Sequence, residues 1–288
     1  MFLILANPDD RLACRAHDLL RERHGAGRVR HLTGEDLALG TRWALRQDGP
    51  SVCTRMRLAD GTELSSADLT AVFNRLRFVR LPHFGAASAS DQDYALMEIH
   101  AFLLSWLSSL ECVVINRASP RGLAGDCRGT AEWLRLAGRA GLPARAMSFA
   151  SSARRFTKTG YDAYVPLAGA GLAADAALRP SARAILGRSP AHFLETLGDE
   201  SRQLLVVGAT THRGDDLPAP LAEGCLRLAR AAGCDLIGFE FAQTKAGAPG
   251  GWRFCGADPF PQDLRGAEVE ALVGLLESGA VRPGGAAE

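Results

Sequence analysis

Gln203-Leu-Leu-Val-Val-Gly-Ala-Thr-Thr211, Cys234-Asp-Leu-Ile-Gly-Phe-Glu-Phe-Ala-Gln243 and Gly251-Trp-Arg-Phe-Cys-Gly-Ala-Asp-Pro-Phe-Pro261 follow one another in the last third of the chain. Each is an apolar run of strand length bounded by turn-forming residues. Between the first two, Leu221, Cys225, Leu228 and Ala232 recur at helical spacing, which predicts an amphipathic helix. A Gly-rich turn joins the second run to the third, so these two read as paired strands. The last ends in an acidic residue followed by proline, Asp258-Pro259. The pattern is strand, helix, then two strands, and Glu240 and Asp258 are acidic residues on the last two.

Upstream, residues 1–6 read as a buried strand. Asn7-Pro-Asp-Asp10 makes a turn that also caps a helix running to about Arg23, with Leu12, Ala16, Leu19 and Leu20 on one face. A second strand lies near Val29–Leu32, so the opening is a βαβ unit and a small parallel lobe. Val52, Thr54, Met56 and Leu58 alternate with polar residues, and Asp60-Gly61 marks a hairpin turn. Thr70–Arg75 is a further strand. A helix is expected over 91–110, with Tyr94, Met97, Ala101, Leu104 and Ser108 as its stripe, and Cys112–Arg117 is a strand after it. Thr130–Pro143 reads as another helix. The final helix carries Val269, Leu272, Val273 and Leu276 on one face and is expected to pack on the sheet. A Gly-, Ala- and Pro-rich tail follows it.

Composition narrows the function classes. The chain has 288 residues, 47% hydrophobic and 23% charged, in the ordinary globular range. A formal net charge of +1 gives no basic face for nucleic acid. The 7 cysteines are scattered without a Cys-x-x-Cys pair, which suits a reducing compartment better than a disulfide framework. The N-terminal apolar run lacks a basic leader and is too short to span a bilayer. A cytoplasmic protein with neither nucleic-acid nor membrane partners is expected. No Gly-x-Ser-x-Gly, His-Glu-x-x-His or Walker pattern occurs. The basic residues include two lysines alone, Lys158 and Lys245.

The paired strands ending at Asp258-Pro259, the helix Thr130–Pro143 and the segment Ser189-Pro-Ala-His-Phe-Leu-Glu-Thr196 together resemble the ATP-grasp superfamily. Within it they are most similar to the microviridin-type peptide ligases. The resemblance spans roughly 1–276 and is densest at 111–143 and 189–264. It implies an α/β (α+β) fold in three lobes with a tail: an N-terminal α/β lobe over 1–117, a linker helix and shortened central lobe over 118–200, a C-terminal antiparallel-sheet lobe over 201–278, and a tail over 279–288.

In that family two lysines hold the nucleotide phosphates, and hard oxygen ligands on adjacent strands hold the bridging magnesium ions. Matched position by position, Thr130 and Val165 stand where the lysines belong. Glu240 takes the metal Asp position, Gly256 the metal Glu position and Asp258 the metal Asn position. The resemblance therefore implies a degenerate site. Glu240 and Asp258 are the candidate metal ligands, and Lys158 and Glu195 the candidate nucleotide contacts. Arg75, Arg77 and Glu98 are the candidate peptide or partner contacts.

The expected function is a peptide- or partner-binding component of a ribosomal peptide modification pathway, without ATP-dependent ligation and with no cofactor. The alternative is an active ATP- and magnesium-dependent peptide ligase using Lys158, Glu240 and Asp258 in a rearranged site. The implied partner is a precursor peptide or a biosynthetic enzyme, with a homodimer as a further possibility. A third reading, an enzyme that uses His or Cys in the same cleft, has no residue pattern that selects its reaction.

Overall fold

The computed structural model describes residues 1–151, 160–164, 191–245 and 251–281. The chain divides into two compact units, residues 1–126 with 261–288, and residues 127–260. Each is described by itself.

The first unit is built on a parallel sheet in the order β2-β1-β6-β7, from β1 (Phe2–Leu5), β2 (Val29–Leu32), β6 (Ala71–Asn74) and β7 (Val113–Ile115). The two central strands, Phe-Leu-Ile-Leu and Ala-Val-Phe-Asn, are buried at every residue, as expected of strands covered on both faces. Helix α1 (Arg11–His24) starts at Asp10, whose carboxylate accepts from the Ala13 N–H at 3.0 Å. It ends at Gly25, where φ is 83°. After the short α2 (Gly34–Ala38), an antiparallel sheet follows in the order β3-β4-β5, from β3 (Arg42–Asp48), β4 (Ser51–Arg57) and β5 (Glu63–Ser65). The turn between β4 and β5 contains Asp60 and Gly61, and the Asp60 carboxylate accepts from the Thr62 N–H.

Helix α3 (Ala89–Ser109) forms where expected but buries a different face. Ile99, Leu103, Trp106 and Leu107 are inside, whereas Tyr94 and Met97 are 62% and 63% exposed. The helix has apolar residues on two sides, and the sheet takes the one carrying Leu103 and the Trp106 indole. Periodicity alone could not choose between them.

The last helix, α6 (Gly266–Glu277), lies in this first unit. It packs on α1, β6 and β7. Arg23 and His24 at the end of α1 reach Glu277 at 3.0 and 2.8 Å, and Arg23 also pairs with Glu270. Here the basic last turn of one helix meets acidic residues of the other.

The second unit contains α4 (Thr130–Arg139) and a three-stranded antiparallel sheet, β8-β10-β9, from β8 (Met147–Ala150), β9 (Tyr161–Tyr164) and β10 (Ala191–Glu195). Its larger sheet runs β12-β11-β13-β14, antiparallel throughout, from β11 (Leu197–Val207), β12 (Thr210–His212), β13 (Leu236–Thr244) and β14 (Trp252–Asp258). Helix α5 (Ala219–Ala232) ends at Gly233 in the left-handed region. The core of the unit lies between the sheet and helices α4 and α5. Ile237, Phe239, Phe241 and Phe254 from the sheet meet Trp133, Leu134, Cys225 and Leu228 from the helices. Gly224 is needed here, because a Cβ would stand 2.4 Å from Leu142 Cδ2. No helix among the described residues is long and apolar enough to cross a membrane.

Candidate functional site

Alternation along β13 sends Ile237, Phe239 and Phe241 to the helix side, so Gly238 and Glu240 point to the other face. The register pairs Gly238 with Asp258 and Glu240 with Gly256. Paired residues of an antiparallel ladder share a face, and so do residues two apart on one strand. Glu240 and Asp258 are therefore brought to one face as diagonal neighbours, each with a glycine directly opposite. The register shifts after Glu240, where Phe241 pairs with Phe254 and Cys255 is left as the extra residue of a bulge.

Burial pushes the Glu240 carboxyl up, and the positive charge of Arg145 partly opposes that shift. Arg145 is a residue that sequence reasoning missed. Its backbone N–H donates to the Phe254 carbonyl at 2.9 Å, a contact set by the bridge between Ala144 and Phe254. Its Nε donates to the Glu195 carbonyl at 2.6 Å. The one signal for it in the sequence is its place two residues after the proline that follows helix α4.

Glu195, expected to meet a nucleotide, is engaged by the protein itself. Its Oε2 accepts from the Ala146 N–H at 3.0 Å and lies 3.9 Å from Arg253 Nε. Asp258 accepts from the Phe260 N–H at 2.8 Å. Lys158 and Val165 lie outside the described residues. Thr130 is the first residue of α4.

In the first unit, Arg75 does not present itself to a ligand. Its side chain is fully buried, with Nε 2.5 Å from Asp10 Oδ2 and the guanidinium 5.6 Å from the Phe73 ring centre. The strand end expected to face a substrate instead anchors the start of α1. Arg77 and Glu98 are exposed, on the chain after β6 and on α3 respectively.

The Cys225 and Cys255 thiols are buried. Burial pushes Cys225 and Cys255 up to about 12, so both are protonated at neutral pH. Burial lowers the His192 pKa.

No protein-family model and no curated protein matches the chain. Solved structures do. A RiPP-associated ATP-grasp ligase of Chryseobacterium gregarium, in complex with ADP and a leader and core peptide, aligns with a TM-score of 0.72 at 13% identity, over 98% of this chain and 97% of that one. The macrocyclase MdnC of Microcystis aeruginosa, bound with its precursor peptide MdnA, aligns with a TM-score of 0.69 at 13% identity, over 96% and 99%. The ATP-grasp ligase PsnB, complexed with a minimal precursor, gives 0.68 at 19% identity, over 97% and 98%. The chain has the ATP-grasp fold.

An ATP-grasp ligase needs magnesium ions and ATP, so the donor set decides whether these residues fit them. Hard divalent ions take about six oxygen ligands, and those bridging ATP phosphates draw on carboxylates of the protein. Here Gly256 faces Glu240 where the ATP-grasp resemblance calls for a second carboxylate, and a guanidinium already stands near. Among the described residues no group of three or more His, Cys, Asp or Glu side chains is placed to hold a metal ion. Glu240 and Asp258 are the two carboxylates that β13 and β14 bring to this face.

One prediction follows from the Glu240 environment. A raised carboxyl pKa means that the folded protein holds a proton more tightly than the unfolded chain, so stability falls as pH rises from the ordinary value of 4.5 through the folded value. Glu240→Gln should then raise the melting temperature at neutral pH, and the gain should vanish below pH 4.5, where Glu240 is protonated in both states. Melting curves over a pH series read this directly. A neutral-pH loss of stability would show that the charge is held by a partner.

Proposed function

We propose that this protein binds a peptide, or an enzyme acting on one, in a pathway that modifies ribosomally made peptides, and that it does so without ATP-dependent ligation. The observation that carries the reading is the pairing of Glu240 with Gly256, beside Arg145, where a ligase would hold its metal-bridging carboxylates. Loss of a phosphate-binding lysine at Thr130 supports it, since Thr has neither the charge nor the reach to replace one. The structural relatives crystallised with leader, core or precursor peptides supply the partner class, a precursor peptide. On this reading the fold is kept as a scaffold, and Arg77 and Glu98 are the exposed candidates for peptide contact.

Calorimetry and thermal melting with Mg-ATP, Mg-ADP and Mg-AMPPNP test the reading. A ligand at one hundred times its dissociation constant stabilises its protein by about 2.7 kcal/mol, well within reach of a melting curve. No shift is expected with any of the three nucleotides. A second reading, an active ligase with Lys158, Glu240 and Asp258 in a rearranged site, draws on the shared face of the two carboxylates. Magnesium-dependent ATP binding that Lys158→Ala abolishes, with ADP released when a precursor peptide is added, would establish that reading in place of the first.

A further inference from the structure

Alternation along β3 and its register against β4 gather four arginines on one face of the three-stranded sheet. Arg42 and Arg46 come from β3, and Arg55 and Arg57 from β4. All four are exposed. Arg42 stands directly opposite Arg57, and the short side chain of Ala44 stands opposite Arg55. Like charges directly opposite are unfavourable, so the sheet holds this cluster at a cost to its own stability. The same face carries two carboxylates. Asp48 lies 3.4 Å from Arg46 in a pair whose side chains are both 82% exposed, which is easily exchanged. Glu63 is opposite Arg57 in the register. Among the described residues no carboxylate forms an ion pair with Arg42, Arg55 or Arg57. The chain as a whole is near neutral, at +1, so the positive surplus is local to this face.

The cluster lies beside an open backbone edge. β3 is the end strand of its sheet, all seven of its residues are exposed, and it contains no proline. On β4, the Thr54 N–H donates to Ser66 Oγ at 3.0 Å, away from β3. In an antiparallel ladder the residue opposite then also turns its backbone outward. Leu45 is that residue, so it presents its N–H and C=O to the open edge, as do Trp43 and Gln47 two positions either side. On the other face of the sheet, Trp43 and Leu45 are 38% and 39% exposed, and Trp43 stacks on Phe102 of α3 with ring centroids 5.5 Å apart. The edge is therefore basic on one face and apolar on the other.

We propose that β3 receives an extended acidic peptide as an added strand, with its carboxylates on the arginine face and its apolar residues against Trp43 and Leu45. Positions opposite Arg42 and Arg46 are four residues apart, about 13 Å along a strand, and those opposite Trp43 and Leu45 fall between them on the other face. The occupant carries carboxylates four positions apart, with an apolar residue one position inside each. Backbone bonds to the edge supply affinity, and the alternating side chains supply selectivity. A guanidinium takes a carboxylate through parallel N–H donors, and the arriving acids relieve the repulsion between Arg42 and Arg57. The proposal rests on the peptide-binding reading above for the class of partner, and adds where the peptide is held and by what chemistry.

Fluorescence anisotropy of the full chain with a labelled heptapeptide tests it, the probe having glutamates second and sixth and valines third and fifth. Saturable binding that weakens with salt is expected. Arg42→Glu combined with Arg46→Glu should raise the dissociation constant about thirtyfold, as two attractions become two repulsions. The same peptide with lysines in place of glutamates should bind that double variant and not the parent. Leu45→Pro removes an N–H from the open edge without touching the ladder to β4, and should abolish binding. An unchanged circular dichroism spectrum and melting curve would verify that each variant is folded. Equal binding by the parent and the charge-reversed chain would put the peptide elsewhere, overturning the proposal while leaving the peptide-binding reading in place. A parent that does not take the probe, or a reversed chain that does not take the lysine peptide, overturns it as well. The reading of the second unit is judged separately, by the nucleotide melts, which do not involve β3.

Discussion

Asp10→Ala is expected to destabilise the first unit by about 3–5 kcal/mol, the range found when one partner of a buried ion pair is removed. The side chain of Arg75 is fully buried, and Asp10 is its carboxylate partner at 2.5 Å. Removing the carboxylate takes the Asp10 counter-charge away from a desolvated guanidinium. Asp10 has two further tasks. It caps α1 through the Ala13 N–H, and it accepts from the Gln262 side chain at 3.2 Å, tying the segment before α6 to the start of α1. Loss of the cap alone costs about 0.5–2 kcal/mol. Asp10→Asn separates the effects, because the amide oxygen still caps the helix while the charge is gone. Urea titrations of the three proteins should rank them parent, Asn, Ala. If the alanine variant lost under 1 kcal/mol, the pairing of Asp10 with Arg75 would not be stabilising the unit.

Phe254→Ala should be as damaging in the second unit, again by about 3–5 kcal/mol. Phe254 is completely buried. Its ring meets Phe241 edge-on at 5.9 Å and lies 6.1 Å from Phe239, at the centre of the face that receives α4 and α5. Truncation leaves a cavity that β13 and helices α4 and α5 around it cannot fully close. The strand at this position also donates to the Pro143 carbonyl and accepts from Arg145, so collapse around the hole would disturb the placement of Arg145. Phe254→Leu fills most of the volume and should cost well under half as much. Denaturant unfolding followed by tryptophan fluorescence suits the measurement, since Trp133 and Trp252 share this core. Equal losses for Ala and Leu would mean that ring contacts outweigh volume.

Much of the fold was legible in the sequence because the strands are short, apolar and bounded by turn residues. The strands at 2–5, 29–32, 71–74, 113–115 and 252–258 each fall within a stretch read as a strand, and 236–244 overruns its stretch by one residue. Glu240 and Asp258 were paired through the resemblance alone, and it is the bulge at Cys255 that brings them to one face. What escaped depended on partners far off in the chain. The burial of Arg75 is decided by Asp10, 65 positions away. Arg145 acquires its setting from a bridge between Ala144 and Phe254 that no local pattern announces. Helix α3 has two apolar sides, and the neighbouring sheet, not the helix, chooses which is buried.

The return of α6 to the first unit bears on how the chain is made. During synthesis the parallel sheet and α1 leave the ribosome early, while the helix that packs on α1, β6 and β7 emerges after all of residues 127–260. The second unit is continuous and can complete itself as it emerges. The first must wait, with the apolar flank that α6 will cover open to nonspecific contacts. A released chain ending before Gly266 should therefore resist proteolysis in residues 127–260 better than in residues 1–126.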